Sequence, residues 1–232
     1  MFLKIKENSI FVADSHFNDK NPELLSFLNL IVENKIKPSQ LFLMGDIFDF
    51  ISEESKYFIK KNIKIINLIN ELSKNIEVIY LEGNHDYNLK TLFPRVLVVK
   101  REQQPIYLQY KNNKIAMSHG DIFTPWHYNL YCKIIRNKPL LLFLNSIDFF
   151  SFISKAIENS LLKKTICNEM KDFNSFARKR LNCYKNADIV IEGHFHQGKQ
   201  FSKNNKLYVN IPSLCCNKEY MIFDGEFKGK KL

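Results

Sequence analysis

The sequence predicts an α/β fold, and three observations predict it. Short β-type runs recur along the chain, helical periodicity fills the gaps between them, and most runs end at a cluster of small polar residues. In the first half the runs cover 10–13, 41–44, 78–81 and 115–117. They resume at 189–191, 207–209 and 220–223. Each is short, rich in β-branched or aromatic residues and bounded by turn formers, as a buried strand requires. Between the first two, Asn21-Pro22-Glu23 opens a helix with proline in its first turn, and Leu24, Leu25, Leu28 and Val32 form its apolar side. A second helix is expected over residues 54–73, with Phe58, Ile65, Leu68, Ile69 and Leu72 as its buried stripe. Strand signals then vanish over residues 124–186. Leu130, Tyr131, Ile134 and Ile135, then Leu162, Ile166, Met170, Phe173 and Ala177, recur at helical spacing there. Because strands resume afterwards, 124–186 is expected to be a helical insertion within one domain spanning 1–232.

Composition bounds what such a chain can be. At 232 residues, 45% hydrophobic and 25% charged, it excludes a disordered chain and a membrane bundle. The most apolar stretch, 140–153, is interrupted by Asn145 and Asp148 and falls short of the ~20 residues a spanning helix needs. Lys4, Lys6 and Glu7 stand where a secretory signal needs an apolar core, so a cytoplasmic location is expected. The five cysteines are odd in number, include the adjacent pair Cys215-Cys216 and show no C-x-x-C spacing. Neither a disulfide framework nor a zinc knuckle is predicted, and a reducing compartment fits best. The formal charge of +10 asks for an anionic partner: nucleic acid, a phosphorylated ligand or an acidic membrane face.

Five of the six histidines lie just after strands. Asp14 and His16 form D-x-H, Gly45, Asp46 and Asp49 form G-D-x-x-D, then come Gly83-Asn84-His85-Asp86, His119-Gly120-Asp121 and Gly193-His194-Phe195-His196. Residues two apart on extended chain point to one side, so Asp14 with His16, and His194 with His196, make two-pronged ligands. Strand ends in an α/β sheet converge on one crevice. The ordered set resembles the calcineurin-like metallophosphoesterase family from about Ile10 to Asn210. That resemblance implies a β-sandwich flanked by helices (αββα), with 124–186 as a helical cap. It implies one divalent ion held by Asp14, His16 and His196, a second held by Asn84, His119 and His194, and Asp46 bridging them. Oxygen and nitrogen donors without thiolate suit Mn²⁺, Fe or Zn²⁺. Two such ions activate a water and clamp phosphoryl oxygens during hydrolysis. His85 is expected to stabilise phosphate charge or protonate the leaving oxygen, with Asp86 orienting it. Asp49 and Asp121 are expected to be turn residues or to aim ligands rather than to bind metal, and His127 to take a surface or packing role.

The insertion bears on the substrate. Residues 124–186 hold 11 Lys and Arg against 4 acids, a net +7, together with Leu140-Leu141-Leu142-Phe143-Leu144 and Phe149-Phe150-Ser151-Phe152-Ile153. Basic and apolar together suggest lipid phosphate and contact with an acidic membrane surface, here the inner membrane. Nucleic acid, which favours isolated stacking platforms, is the less suited partner, and nothing points to a protein partner. Ile134-Ile135-Arg136-Asn137 followed by the leucine block, and the segment Asn168-Glu169-Met170-Lys171, are similar to the lipid A branch of the family, the UDP-2,3-diacylglucosamine diphosphatases. The branch implies a nucleotide-linked glycolipid substrate, cleaved to UMP and 2,3-diacylglucosamine 1-phosphate. It further implies substrate contacts from Asn84, His85, Arg136, Lys164, Asn168 and Lys171. One departure is His85, where the best-known members carry Arg. A sister branch with the same reaction, or another phosphoester substrate such as a nucleic acid or cyclic nucleotide, is therefore left open.

Overall fold

The computed structural model describes residues 3–232, so Met1 and Phe2 of the N-terminal segment lie outside the described residues. Two six-stranded mixed sheets enclose the centre. One runs β12 (Phe227–Lys231), β11 (Glu219–Phe223), β2 (Ser9–Val12), β3 (Gln40–Leu43), β4 (Glu77–Leu81), β5 (Leu97–Val99). The other runs β1 (Leu3–Lys4), β6 (Ile106–Tyr110), β7 (Asn113–Ser118), β8 (Ile189–Glu192), β10 (Lys206–Asn210), β9 (Gln200–Lys203). β2, β3, β4 and β5 are mutually parallel, as are β7, β8 and β10.

The period-2 alternation of strand side chains explains why β2, β3 and β4 read as continuous apolar runs: both of their faces are covered. Phe11, Phe42 and Ile79 point inward, against Ile115, Ile191 and Val209 of the second sheet. Ile10, Leu41, Val78 and Tyr80 point outward, beneath α1 (Glu23–Val32) and α2 (Lys56–Leu72). The insertion forms α3 (Trp126–Ile135), α4 (Lys138–Ser146), α5 (Phe152–Leu161) and α6 (Phe173–Cys183). The last of these closes the outer face of the second sheet, with Phe173, Ala177 and Leu181 over Ala116, Val190 and Tyr208. Helices therefore flank both sheets.

All seven expected strands are present. Five more, β1, β5, β6, β9 and β12, carry weaker signals because they are very short or lie at or next to sheet edges with polar residues facing out. Helix α1 starts with Pro22 itself at the cap position and no side-chain cap, one residue off the expected arrangement. The helical spacing expected through Leu162, Ile166 and Met170 does not form a helix. Residues 164–170 have no regular structure, and the Asp172 carboxylate starts α6 by accepting the amide of Ser175. Met170 instead packs from this irregular limb against the α6 cluster.

The cysteine reading is also corrected. Cys167 on that limb is bonded to Cys216 on the short helix α7 (Leu214–Asn217), a pairing that the adjacent Cys215 and the odd count concealed. Among the described residues no single helix is long and apolar enough to cross a membrane.

Candidate metal centre

The five histidine- and carboxylate-bearing turns meet at one end of the two sheets. Asp14 and His16 leave β2, Asp46 and Asp49 leave β3, and Asn84 and His85 leave β4. From the second sheet His119 leaves β7, and His194 and His196 leave β8. Asp14, His16, Asp46, His194 and His196 all have φ between 40° and 62°. This is the left-handed region, which non-glycine residues occupy at a cost of about 1–3 kcal/mol each and which clusters at functional sites. The strain has a geometric reason: at each exit the chain must turn at once so that a side chain faces across the gap between sheets. Gly83 permits the closest of these approaches, since a Cβ there would meet the Asp46 carboxylate at 2.2 Å.

Donor atoms fall into overlapping groups whose members lie within 4.8 Å of one another: Asp14, His16 and His196; His16, Asp46 and His85; Asp46, His119 and His194. Asp46 belongs to two of them. Asn84 Oδ1 lies 3.3 Å from His119 Nε2, which places it beside the third group.

The ring nitrogens show what this cluster could hold. His119 Nδ1 is bound to Met44 O at 2.8 Å, His196 Nδ1 to Ile166 O at 2.9 Å and His85 Nδ1 to Asp49 O at 2.6 Å. A neutral ring that donates from Nδ1 presents a bare lone pair at Nε2. Those lone pairs face other acceptors: His119 Nε2 lies 3.5 Å from Asp46 Oδ2, and His196 Nε2 lies 3.3 Å from Asp14 Oδ1. Asp14 Oδ1 is buried with no hydrogen-bond partner. Acceptor set against acceptor in a buried pocket requires positive charge between them, which is what divalent cations supply. The residues present fit such ions.

Burial alone would push the Asp46 carboxyl up, but His119 and His85 together hold it well below its ordinary value. Burial opposes the proton on His119, yet Asp46 and Asp121 raise its pKa well above the usual range. Burial and the neighbouring His119 drive His194 down to about 4. Burial likewise lowers His85.

Several groups brace the turns. Asp49 Oδ1 stands 3.6 Å from His16 Nδ1, beyond hydrogen-bond range, and that nitrogen is buried without a hydrogen-bond partner. Asp121 is buried and paired with Arg101 at 2.7 Å. Asp86 does not hold the ring of His85, which rests on the carbonyl of Asp49. Its carboxylate accepts instead from the amides of Asp46, Ile47 and Gly83 and from Tyr80 Oη, tying the β3 exit to the β4 exit. It is drawn inward because three orphan amides converge there, and burial beside Asp46 raises its pKa to about 6.

Gln104 and the Arg180–Glu192 pair escape a motif reading. Gln104 Oε1 accepts the His119 amide at 2.7 Å while its Nε2 donates to Glu82 O at 2.9 Å. No sequence signal marks it. Glu192 has one: a carboxylate closing the apolar run Ile189-Val190-Ile191 must find a buried cation, and the Arg178-Lys179-Arg180 cluster supplies it.

The cap residues separate. Arg136 is turned to the core, its guanidinium paired with Glu82 at 3.4 Å, bonded to Gly83 O and set over the Tyr87 ring. Lys164 is exposed, and its charge helps to lower the pKa of His85. Asn168 O accepts from Gln197 Nε2, and Lys171 lines a separate groove with Lys199. His127 is exposed. Phe149, Phe150 and Phe152 stand out at 72%, 96% and 77% exposure, at a bend where Phe150 and Ser151 both take positive φ. Between α2 and the α4–α5 pair lies a small, open, mainly apolar pocket of about 40 Å³ that includes Phe50, Phe58, Leu141, Leu144 and Ile157.

The chain is similar to several known proteins. The family model described as calcineurin-like phosphoesterase matches residues 9–198. A UDP-2,3-diacylglucosamine hydrolase of Wigglesworthia glossinidia brevipalpis is 24% identical over 213 residues, covering 87% of this chain and 84% of that protein. One from Blochmanniella pennsylvanica is 27% identical over 199 residues, covering 81% and 78%. A solved archaeal phosphodiesterase superposes with a TM-score of 0.47 at 15% identity, covering 97% of this chain and 99% of that one.

Proposed function

The chain belongs to the calcineurin-like phosphoesterase family, a family of metal-dependent hydrolases, and from that premise we propose that it hydrolyses the pyrophosphate of UDP-2,3-diacylglucosamine. Water is consumed, and UMP and 2,3-diacylglucosamine 1-phosphate are released. Asp14, His16 and His196 would hold one ion, Asn84, His119 and His194 the other, with Asp46 between them and Mn²⁺ as the metal. Two divalent ions bound there supply the charge that activates water and clamps phosphoryl oxygens. The protein's own groups do the rest. The carbonyls of Met44 and Ile166 keep the Nε2 lone pairs of His119 and His196 inward. The carbonyl of Asp49 holds the His85 ring, so that when the ring takes up a second proton its Nε2–H can donate to a phosphoryl or leaving-group oxygen.

The observation that carries the substrate reading is that the return limb of the cap lies on this cluster: Ile166 O is bonded to His196, and Lys164 acts on His85. The limb of residues 124–186 that carries Lys164 and Ile166 thus borders the site. The small pocket under α4 and α5 suits the end of an acyl chain, and exposed Phe149, Phe150 and Phe152 suit the surface of an anionic membrane. The two relatives bearing this enzyme's name add support.

Incubation with UDP-2,3-diacylglucosamine, Mn²⁺ and detergent is expected to yield UMP and the lipid monophosphate in equal amounts. Protein that cleaves a generic phosphodiester but releases no UMP here refutes the assignment. His85→Ala is expected to lower kcat about 100-fold with two Mn²⁺ still bound per chain. Loss of metal in that variant would move His85 from the substrate to the ligand set.

A further inference from the structure

The Cys167–Cys216 bond lies beside the metal cluster, and phosphoester chemistry has no use for it. It joins the irregular limb between α5 and α6 to helix α7, across 49 residues of sequence. Both its ends touch the site. Cys216 Sγ lies 3.6 Å from His196 Nδ1, and that same nitrogen is held by Ile166 O, the residue before Cys167. Helix α7 is fastened to the other side of the ligand group, because Ser213 Oγ donates to Asp14 O at 2.8 Å and the Leu214 amide donates to Ala13 O at 3.0 Å.

Little else holds the limb. Residues 164–170 have no regular structure, and Lys163, Lys164, Thr165, Cys167, Asn168 and Glu169 are exposed. Besides the His196 contact, Gln197 ties it down by donating from Nε2 to Asn168 O and accepting the Met170 amide at Oε1, together with the ion pair of Glu169 to Lys199. A covalent tether therefore decides whether Ile166 O stays against His196. Cys167 is exposed, whereas Cys215 is buried with its Sγ 3.6 Å from Cys216 Sγ. Exchange thus starts at Cys167.

We propose that Cys167 and Cys216 form a reversible redox latch that sets the affinity of the adjoining metal position by holding Ile166 O on His196. The inference rests on the reading that Asp14, His16 and His196 hold an ion. Its reductant is a dithiol of the thioredoxin or dithiothreitol class. One thiolate of the dithiol forms a mixed disulfide with Cys167 Sγ and displaces Cys216 as a thiolate, which takes up a proton. The second thiol then attacks the mixed disulfide, releasing Cys167 as a thiol and leaving the dithiol as its own disulfide. Two electrons pass to the protein. With the limb free, the carbonyl that fixes the His196 ring is lost, and removal of such an outer partner weakens metal binding about 10- to 100-fold.

The test uses the full chain, stripped of metal, poised in oxidised or reduced dithiothreitol, desalted, and titrated with Mn²⁺ followed by the spin resonance of the free ion. Mn²⁺ is hard and avoids thiolate, so released cysteines do not compete for it. Reduction is expected to weaken the affected Mn²⁺ position at least ~10-fold, and alkylation with mass detection to show two more free thiols. Cys167→Ser, at an exposed position, is expected to show the weak value under both poises. Equal Mn²⁺ affinity in both poises overturns the latch alone, as does a Cys167→Ser protein that binds like the oxidised form. Equal alkylation of Cys167 and Cys216 at every poise does so too. A chain that binds no Mn²⁺ in either state overturns the metal reading and the latch together.

Discussion

Asp46→Asn is expected to abolish turnover, by at least ~10⁴-fold, and to reduce bound Mn²⁺ from two per chain to one or none. The carboxylate has both oxygens committed. Oδ1 accepts the His85 amide at 2.8 Å, and Oδ2 lies 3.5 Å from His119 Nε2 and 4.0 Å from His16 Nε2. It therefore faces one histidine from each proposed metal position. An amide of the same shape removes a full negative charge from the point shared by both positions. If its nitrogen takes the place of Oδ2, it aims two protons at lone pairs that must point at cations. Metal analysis separates this cause from simple unfolding, because Asn conserves volume and can still accept the His85 amide. A variant with two Mn²⁺ and turnover within tenfold of the parent would show that Asp46 does not bridge.

The part of this site legible in the sequence was the part held by strand exits. Asp14, His16, Asp46, Asn84, His119, His194 and His196 each follow a strand by only a few residues, so reading the strands placed them at one end of the fold. What lay beyond reach was everything set by long-range closure. Asp86 sits beside His85 in sequence, yet its carboxylate is claimed by amides nearly 40 residues away, an outcome that adjacency conceals. Gln104 acts through two backbone groups and needs no partner of a particular type, so it leaves no pattern. Arg136 bears a charge that a sequence assigns to solvent or substrate, and only packing over Tyr87 and Glu82 turns it inward. The limb around Cys167 has helical spacing without a helix, because its apolar residues pack singly against different neighbours. Hydrophobic period reports which residues are buried, and a start or stop is set by a cap such as Asp172.

Arg180→Met is expected to destabilise the fold by about 3–5 kcal/mol, the range for breaking a buried ion pair from one side. Arg180 is only 7% exposed and Glu192 not at all. The guanidinium meets the carboxylate through two nitrogens, at 2.8 Å from Nε and 2.5 Å from Nη2, while its remaining donors take Gly120 O and Ile122 O. Tyr208 Oη at 2.8 Å and Tyr184 Oη complete the shell of the carboxylate. Removing the cation leaves a dry negative charge with only neutral donors, and it releases two carbonyls of the turn that follows His119. A second change shows which loss matters. Glu192→Gln in the Arg180→Met background discharges the buried anion, keeps an oxygen that accepts from one tyrosine and offers an amide N–H to the hydroxyl oxygen of the other, so it is expected to restore most of the lost stability in a denaturant titration. Metal affinity is expected to stay low in both variants, because Gly120 and Ile122 remain untethered and His119 and His194 leave the two strands that Arg180 ties together. Recovery of stability and metal binding in step would assign the whole effect to the buried charge. Recovery of neither would place the cost in the carbonyl contacts of the guanidinium.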